Sequence, residues 1–209
     1  PILSQNENED FLQTLNDSWG STQYVALCGT FPENFSVEQI DGLDFSGKKI
    51  FVDAVCNIDS WLQKGVELLK INKNEYCKFL DRMGIPQVKS SPQFWKMTAT
   101  AVLERLPIAN LVVTDEDSVV HAFRFTDKKL QGCQLQPPTV QVKNSVGAGD
   151  SFLAGWIYAE SRGLSMEECL VKATSVAVAR CEVERPWNIK LERVAELESA
   201  LAEAVEKVE

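Results

Sequence analysis

Four short runs carry almost no polar alternation: "YVALCG" at 24–29, "KKIFVDAV" at 48–55, "VELLKI" at 66–71 and "NLVVTDED" at 110–117. A strand that is apolar on successive residues has no face to give to water, so it must be covered on both sides. Longer amphipathic runs separate these strands, and that alternation predicts an α/β three-layer αβα sandwich with a mainly parallel sheet. The helices are expected around 6–16, over "KNEYCKFLDRMG" closed by Gly84, and over "SSPQFWKMTATAVLERL" with Ser90 or Ser91 as cap and Pro92 in its first turn. "SVVHAFRF" reads as a strand joined to its predecessor by an acidic turn, "TVQVK" alternates like a half-exposed strand, and helices follow at 147–162, 165–182 and near 190–207. With 209 residues, 44% of them hydrophobic, and no repeat or linker, one domain over 1–209 is expected.

Composition removes several function classes. Thirty acidic against 21 basic residues give a formal charge of −9, the wrong sign for DNA, RNA or anionic lipid, so neither a nucleic-acid nor a membrane partner is expected. No apolar stretch approaches the ~20 residues of a membrane span, and "PILSQNENED" lacks the form of a signal peptide, which suggests a cytoplasmic protein. The six cysteines form no C-x-x-C pair, so reduced, mostly buried thiols are expected rather than a zinc or redox site. His121 is the only histidine, it lies in a strand, and no G-x-S-x-G elbow accompanies it, so a hydrolase triad is set aside.

The chemistry concentrates in "NSVGAGDSFLAGW" at 144–156. Gly147 and Gly149 allow the amides of Gly147 to Asp150 to converge at a helix start, which makes an anion cradle. A carboxylate there would repel a phosphate it merely held; it makes sense as the acceptor of a proton from a hydroxyl that attacks phosphorus. Two other phosphate motifs fail. Phe152 stands where G-x-G-x-x-G needs its third glycine, and the near-Walker "GLDFSGKK" at 42–49 has Lys49 for Ser or Thr and leads into a strand.

"VGAGDSFLAGW" resembles the C-terminal signature of the ribokinase-like (PfkB-type) carbohydrate kinases. In the same order, "VALCGTFPENF" is similar to that family's G-S-L-P loop, "IFVDAV" to its strand ending in Asp, and "LLKINKNEY" to its K-P-N-x-x-E segment. Ser145-Val146 before the glycines is most similar to the 1-phosphofructokinase and tagatose-6-phosphate kinase branch. The resemblance implies an ATP-dependent phosphotransferase acting on a sugar or sugar phosphate, with Asp150 as catalytic base and Gly147, Ala148 and Gly149 as anion hole. It places Asn72 and Glu75 in the Mg²⁺ and phosphate region, largely through water, with no direct protein ligand to the metal. Taken alone, "NKNE" is a helix start, with Asn72 or Asn74 as cap and Glu75 in the first turn.

The departures from the family pattern are Asn144 for its usual Asp, and "VTDEDS" at 113–118 for its nucleotide-side loop, with Thr114 and Asp115 at the predicted nucleotide and Asp115 and Ser118 where glycines are usual. "VARCEVERPWN" also lacks the small residues expected beside adenine. The family's N-terminal strands and β lid are absent, and Pro1 in place of Met agrees with a fragment or a processed chain. A kinase for an unphosphorylated sugar or nucleoside, or a non-catalytic nucleotide-binding relative, are the competing readings. The helix start at Gly147 is expected to open into a cleft at the strand ends, and a fragment is expected to leave an apolar sheet edge or face through which copies could pair as a homodimer.

Overall fold

The computed structural model describes residues 2–29, 41–53, 58–116 and 118–208. In chain order it runs α1 (Gln5–Trp19), β1 (Tyr24–Cys28), β2 (Lys49–Asp53), α2 (Asp59–Gln63), β3 (Val66–Asn72), α3 (Lys73–Arg82), α4 (Phe94–Arg105) and β4 (Ile108–Thr114). Then come β5 (Val120–Thr126), β6 (Lys129–Leu135), α5 (Ala148–Ser161), α6 (Met166–Cys181), a 3-10 turn at Pro186–Asn188, α7 (Leu191–Leu201) and β7 (Glu206–Lys207). The strands form one seven-stranded sheet in sequence order. β1 to β4 are parallel, and β5, β6 and β7 extend the sheet antiparallel.

Strand parity sorts the core into two layers, because successive side chains point to opposite faces. Ile50 and Val52, Leu69 and Ile71, and Leu111 and Val113 pack with Trp19, Trp61, Tyr76, Phe79 and Val102 from α1 to α4. The intervening Phe51, Leu68 and Val112 pack instead with Phe152, Leu153 and Trp156 of α5 and Leu170 and Ala173 of α6. Phe51, Leu68, Leu69, Leu111 and Val112 are completely buried, which confirms strands covered on both faces. No described helix is long and apolar enough to cross a membrane.

Several boundaries differ from expectation. α4 begins at Phe94, after Pro92, because Ser91 is spent on a preceding turn: its Oγ accepts from the Gln93 amide at 3.2 Å and its carbonyl from the Phe94 amide at 3.0 Å. "TVQVK" is not a strand. Its backbone bonds leave the sheet, with the Lys143 amide donating to the Cys181 carbonyl at 2.8 Å. β6 and α2 were not foreseen. The last helix stops at Leu201, and the tail returns as β7 with the Val208 amide donating to the Gly132 carbonyl at 3.0 Å. Cys133 and Cys169 are buried, Cys77 and Cys181 half-buried, and Cys28 is exposed. The "TFPENF" turn, Cys56 and the end of "KKIFVDAV" lie outside the described residues.

Candidate functional site

Parity also decides which polar side chains meet. Tyr24, Phe51 and Leu68 face α5 and α6. Counting on by twos, Cys28, Asp53 and Lys70 share that face, and all three stand at or near the C-terminal ends of parallel strands, where an open α/β sheet presents its crevice. Cys28 and Asp53 are direct register partners. Lys70 Nζ donates to Asp53 Oδ2 at 2.7 Å, the lysine side chain being 6% exposed and the aspartate 17%. A lysine is kept out of water this far only when paired, so the site has a fixed cation rather than a mobile one.

The N-terminus of α5 points at this pair. Gly147 is its N-cap, at φ 82° and ψ 9°, a left-handed conformation that a side chain would strain, and it bonds the Ser151 amide through its carbonyl at 2.9 Å. The amides of Gly147, Gly149 and Asp150 find no acceptor among the described residues. Gly149 and Asp150 are exposed, so the helix start is open rather than sealed. Unpaired amides, a helix dipole and a glycine turn together form a place for an anion.

Gly149 is required for a different reason than Gly147. Its own φ is ordinary, but a Cβ there would lie 3.2 Å from Lys70 Nζ and 3.8 Å from Asp53 Oδ2. The strand-borne lysine therefore reaches the turn itself. A Cβ on Gly147 would lie 3.9 Å from Asp150 Oδ2, which places that carboxylate over the same turn. The Cys28 thiol reports the company it keeps: although the residue is exposed, partial desolvation of its sulfur first, then the Asp53 and Asp150 carboxylates, raise its pKa against the opposing pull of Lys70.

The other residues expected at the site form a second group along the same sheet end. Asn72 follows Lys70 by two positions on β3 and is the register partner of Thr114. Asn72 and Glu75 close a capping box at α3: Asn72 Oδ1 accepts from the Glu75 amide at 2.9 Å and Glu75 Oε2 from the Asn72 amide at 3.0 Å. Asp115, one of the carboxylates that would oppose phosphate, is held by Lys73 Nζ at 2.6 Å. Glu116 stands at φ 48°, a left-handed position in a loop where glycine would be unstrained.

Sequence reading missed two residues. Lys70 falls on the lysine of the K-P-N-x-x-E segment that "LLKINKNEY" resembles, but only Asn72 and Glu75 of that segment are given a role there. Arg180, in the last turn of α6, is 2% exposed, with Nη1 donating to the carbonyls of Asn144 at 3.2 Å and Val183 at 2.8 Å. The donor set fits a polyphosphate: three free amides and an ammonium converge on one turn. It also fits a Mg²⁺ that arrives with phosphates and keeps its waters, which needs only one or two carboxylates; no group of three His, Cys, Asp or Glu poised as a metal cage is found among the described residues.

Comparison with known proteins identifies the fold and the family. No curated protein is a sequence match to the chain. Among solved structures, phosphofructokinase-2 from Escherichia coli in complex with substrates and products superimposes with TM-score 0.76 at 16% identity, over 96% of this chain and 64% of the other. The same enzyme in complex with fructose-6-phosphate gives 0.75 at 17%, over 96% and 63%. A carbohydrate kinase from Agrobacterium tumefaciens gives 0.63 at 16%, over 98% and 60%. The chain thus spans less than two thirds of the length of these structures. The family model of the pfkB carbohydrate kinases matches residues 2–190, and on that match the chain belongs to the pfkB family of carbohydrate kinases.

Proposed function

We propose that this chain carries the catalytic, nucleotide-binding portion of a kinase that moves the γ-phosphoryl group of ATP to a hydroxyl of a sugar phosphate. One observation carries the reading: an exposed carboxylate, Asp150, stands on an open helix start whose free amides face a buried lysine. A carboxylate, a set of amides and an ammonium are what phosphoryl transfer asks of a protein, since its catalysis is mostly positioning and charge stabilisation.

In this reading Asp150 accepts the proton of the substrate hydroxyl as its oxygen attacks the γ-phosphorus. The bond to the β–γ bridging oxygen breaks and ADP leaves. The amides of Gly147, Ala148 and Gly149 hold the transferring group, Ala148 once its amide turns from the Ser145 carbonyl. Lys70 adds a cation that is already desolvated and anchored, so little reorganisation accompanies the transfer. Glu75 and Asn72, locked by their capping box, face the phosphate end of the nucleotide, where Mg²⁺ supplies charge neutralisation. Thr114 and Asp115 border the nucleotide, with Lys73 cancelling the Asp115 charge.

A phosphorylated ketose is favoured over a free sugar by Ser145-Val146 before the glycines. The structural likeness to phosphofructokinase-2 points the same way. The test is calorimetry with a non-hydrolysable ATP analogue and Mg²⁺, followed by a coupled ADP-release assay over hexose phosphates, free hexoses and nucleosides. Turnover only on free sugars or nucleosides would overturn the acceptor class. Nucleotide binding without turnover on any acceptor would favour the non-catalytic reading, to which Asp115 and Ser118 in place of glycines already lean.

A further inference from the structure

Arginines in the last turn of a helix usually run out to water, where the cation complements the dipole. Arg180 does the reverse. It is 2% exposed, and no carboxylate lies within ion-pair distance of it among the described residues. Two main-chain carbonyls, of Asn144 and Val183, accept from its Nη1, while its Nε is buried and finds no partner among the described residues. A buried cation with so little compensation is costly unless something anionic completes it.

The unpaired nitrogen has a direction. The point where a Cβ of Gly147 would stand lies 3.7 Å from Arg180 Nε and 3.9 Å from Asp150 Oδ2. The guanidinium therefore lies against the N-cap of α5, beside the same turn as the Asp150 carboxylate. Its grip on Asn144 matters as much, because Asn144 knots the approach to the turn: Oδ1 accepts from the Val146 amide at 2.9 Å and Nδ2 donates to the Glu184 carbonyl at 3.0 Å. An aspartate at 144 could make the first bond but not the second, since it has no hydrogen to give.

Resting on the phosphate reading above, we infer that Arg180 is a positioning residue for the anion turn. It holds Asn144 and the α6 exit together so that Gly147 keeps its left-handed conformation, and its buried charge draws the anion onto the free amides. Arginine suits both tasks because its planar fork bonds carbonyls while remaining charged. The role is carried out through the turn, by holding its N-cap, rather than through the sugar.

The test compares the wild-type chain with Arg180→Lys and Arg180→Met, using inorganic tripolyphosphate as the probe in calorimetry and amide hydrogen exchange over residues 144–151 as a readout that needs no ligand. Arg180→Met is expected to weaken tripolyphosphate binding by about tenfold or more, the scale of one lost charge-assisted bond. Exchange should accelerate in 144–151 selectively, and millimolar methylguanidinium should restore both. Arg180→Lys should keep the fold and recover only part of the affinity. If Arg180→Met does not fold, Arg180→Lys alone decides: affinity and exchange equal to wild type would overturn the proposal. Should the wild type not bind tripolyphosphate, the phosphate reading fails by itself. The positioning role then stands or falls on whether faster exchange is confined to the turn or is absent or uniform.

Discussion

Replacing Gly149 by alanine should separate stability from binding, with opposite signs. The residue lies in the first turn of α5 at an ordinary φ, so alanine can adopt its backbone. Helix propensity and the lost freedom of the unfolded chain favour alanine by ~0.5–1 kcal/mol. The atoms nearest the new methyl would be Lys70 Nζ at 3.2 Å and, less closely, Asp53 Oδ2 at 3.8 Å and Lys70 Cε at 3.9 Å. Since Nζ ends a flexible side chain, a shift of a few tenths of an ångström relieves the contact at small cost. That shift, however, moves the ammonium that faces the free amides and loosens its 2.7 Å bond to Asp53. Melting temperature should stay level or rise by up to ~4 °C, the response of a chain of this size to about 1 kcal/mol. Affinity for a non-hydrolysable ATP analogue with Mg²⁺ should fall ~10-fold or more, as for a misaligned charge-assisted bond. Scanning calorimetry and titration calorimetry on one preparation measure both. A clear loss of stability would show that Gly149 is needed for backbone shape, and unchanged affinity would show that Lys70 does not serve the anion; either result refutes the reasoning.

Other outcomes follow from the same geometry. Asp150→Asn, assayed with any residues that precede Pro1 restored, should lower kcat ~10²-fold or more while nucleotide Kd holds or tightens; a variant that is fully active would remove Asp150 as the base. Gly155→Ala should destabilise by ~1–3 kcal/mol in urea titrations, because its Cβ would lie 2.9 Å from the Ala173 Cα and 3.2 Å from the Lys172 carbonyl oxygen, both main-chain atoms that cannot step aside. Asn72→Ala should cost ~1 kcal/mol through the capping box, and an equal effect on kcat and on nucleotide Kd would place it beside the phosphates as well. His121 is held neutral by burial, its pKa lowered to about 4, so the unfolded chain gains a proton before the folded one does. Stability should therefore decline as pH falls from the ordinary histidine range near 6.5 to about 4 and level off below; urea midpoints at pH 7 and 5 should differ less in His121→Phe.

Local features were legible and long-range ones were not. The Gly147–Asp150 turn could be read because its glycine, its acid and the apolar period after it are contiguous, and the cap at Asn72 likewise needs only its next three residues. Lys70 could not. Inside "VELLKI" it is one of two charged residues; the K-P-N-x-x-E likeness marks its position, but its role appears only when β2 and α5, 17 and 79 residues away in the chain, bring Asp53 and Gly149 to it. Arg180 looked like an ordinary basic residue closing a helix. "TVQVK" misled because alternation reports a half-buried strand only where a partner strand exists, and its backbone is tied to the end of α6 instead. β6 escaped for the converse reason: Gly132, over which Phe123 packs so closely that a Cβ would lie 2.9 Å from its ring, and the glutamines around it blur the period of a strand that is well paired.

The close contact of α5 with α6 at Gly155 and Ala173 bears on how the site is born. The two helices run antiparallel through the tight turn at Gly163, so the free amides at one end and Arg180 at the other return to the same place on a single helical hairpin. Contacts within it join residues close along the chain and carry little loop-closure entropy, so this half has the character of a unit that forms early and opens as one. Asp53 and Lys70 belong to the parallel sheet, whose pairings join distant segments and form slowly. A polyphosphate that touches both halves would then act as a clasp between a fast module and a slow one, and ligand affinity would report whether the hairpin has docked on the sheet, apart from whether either has folded.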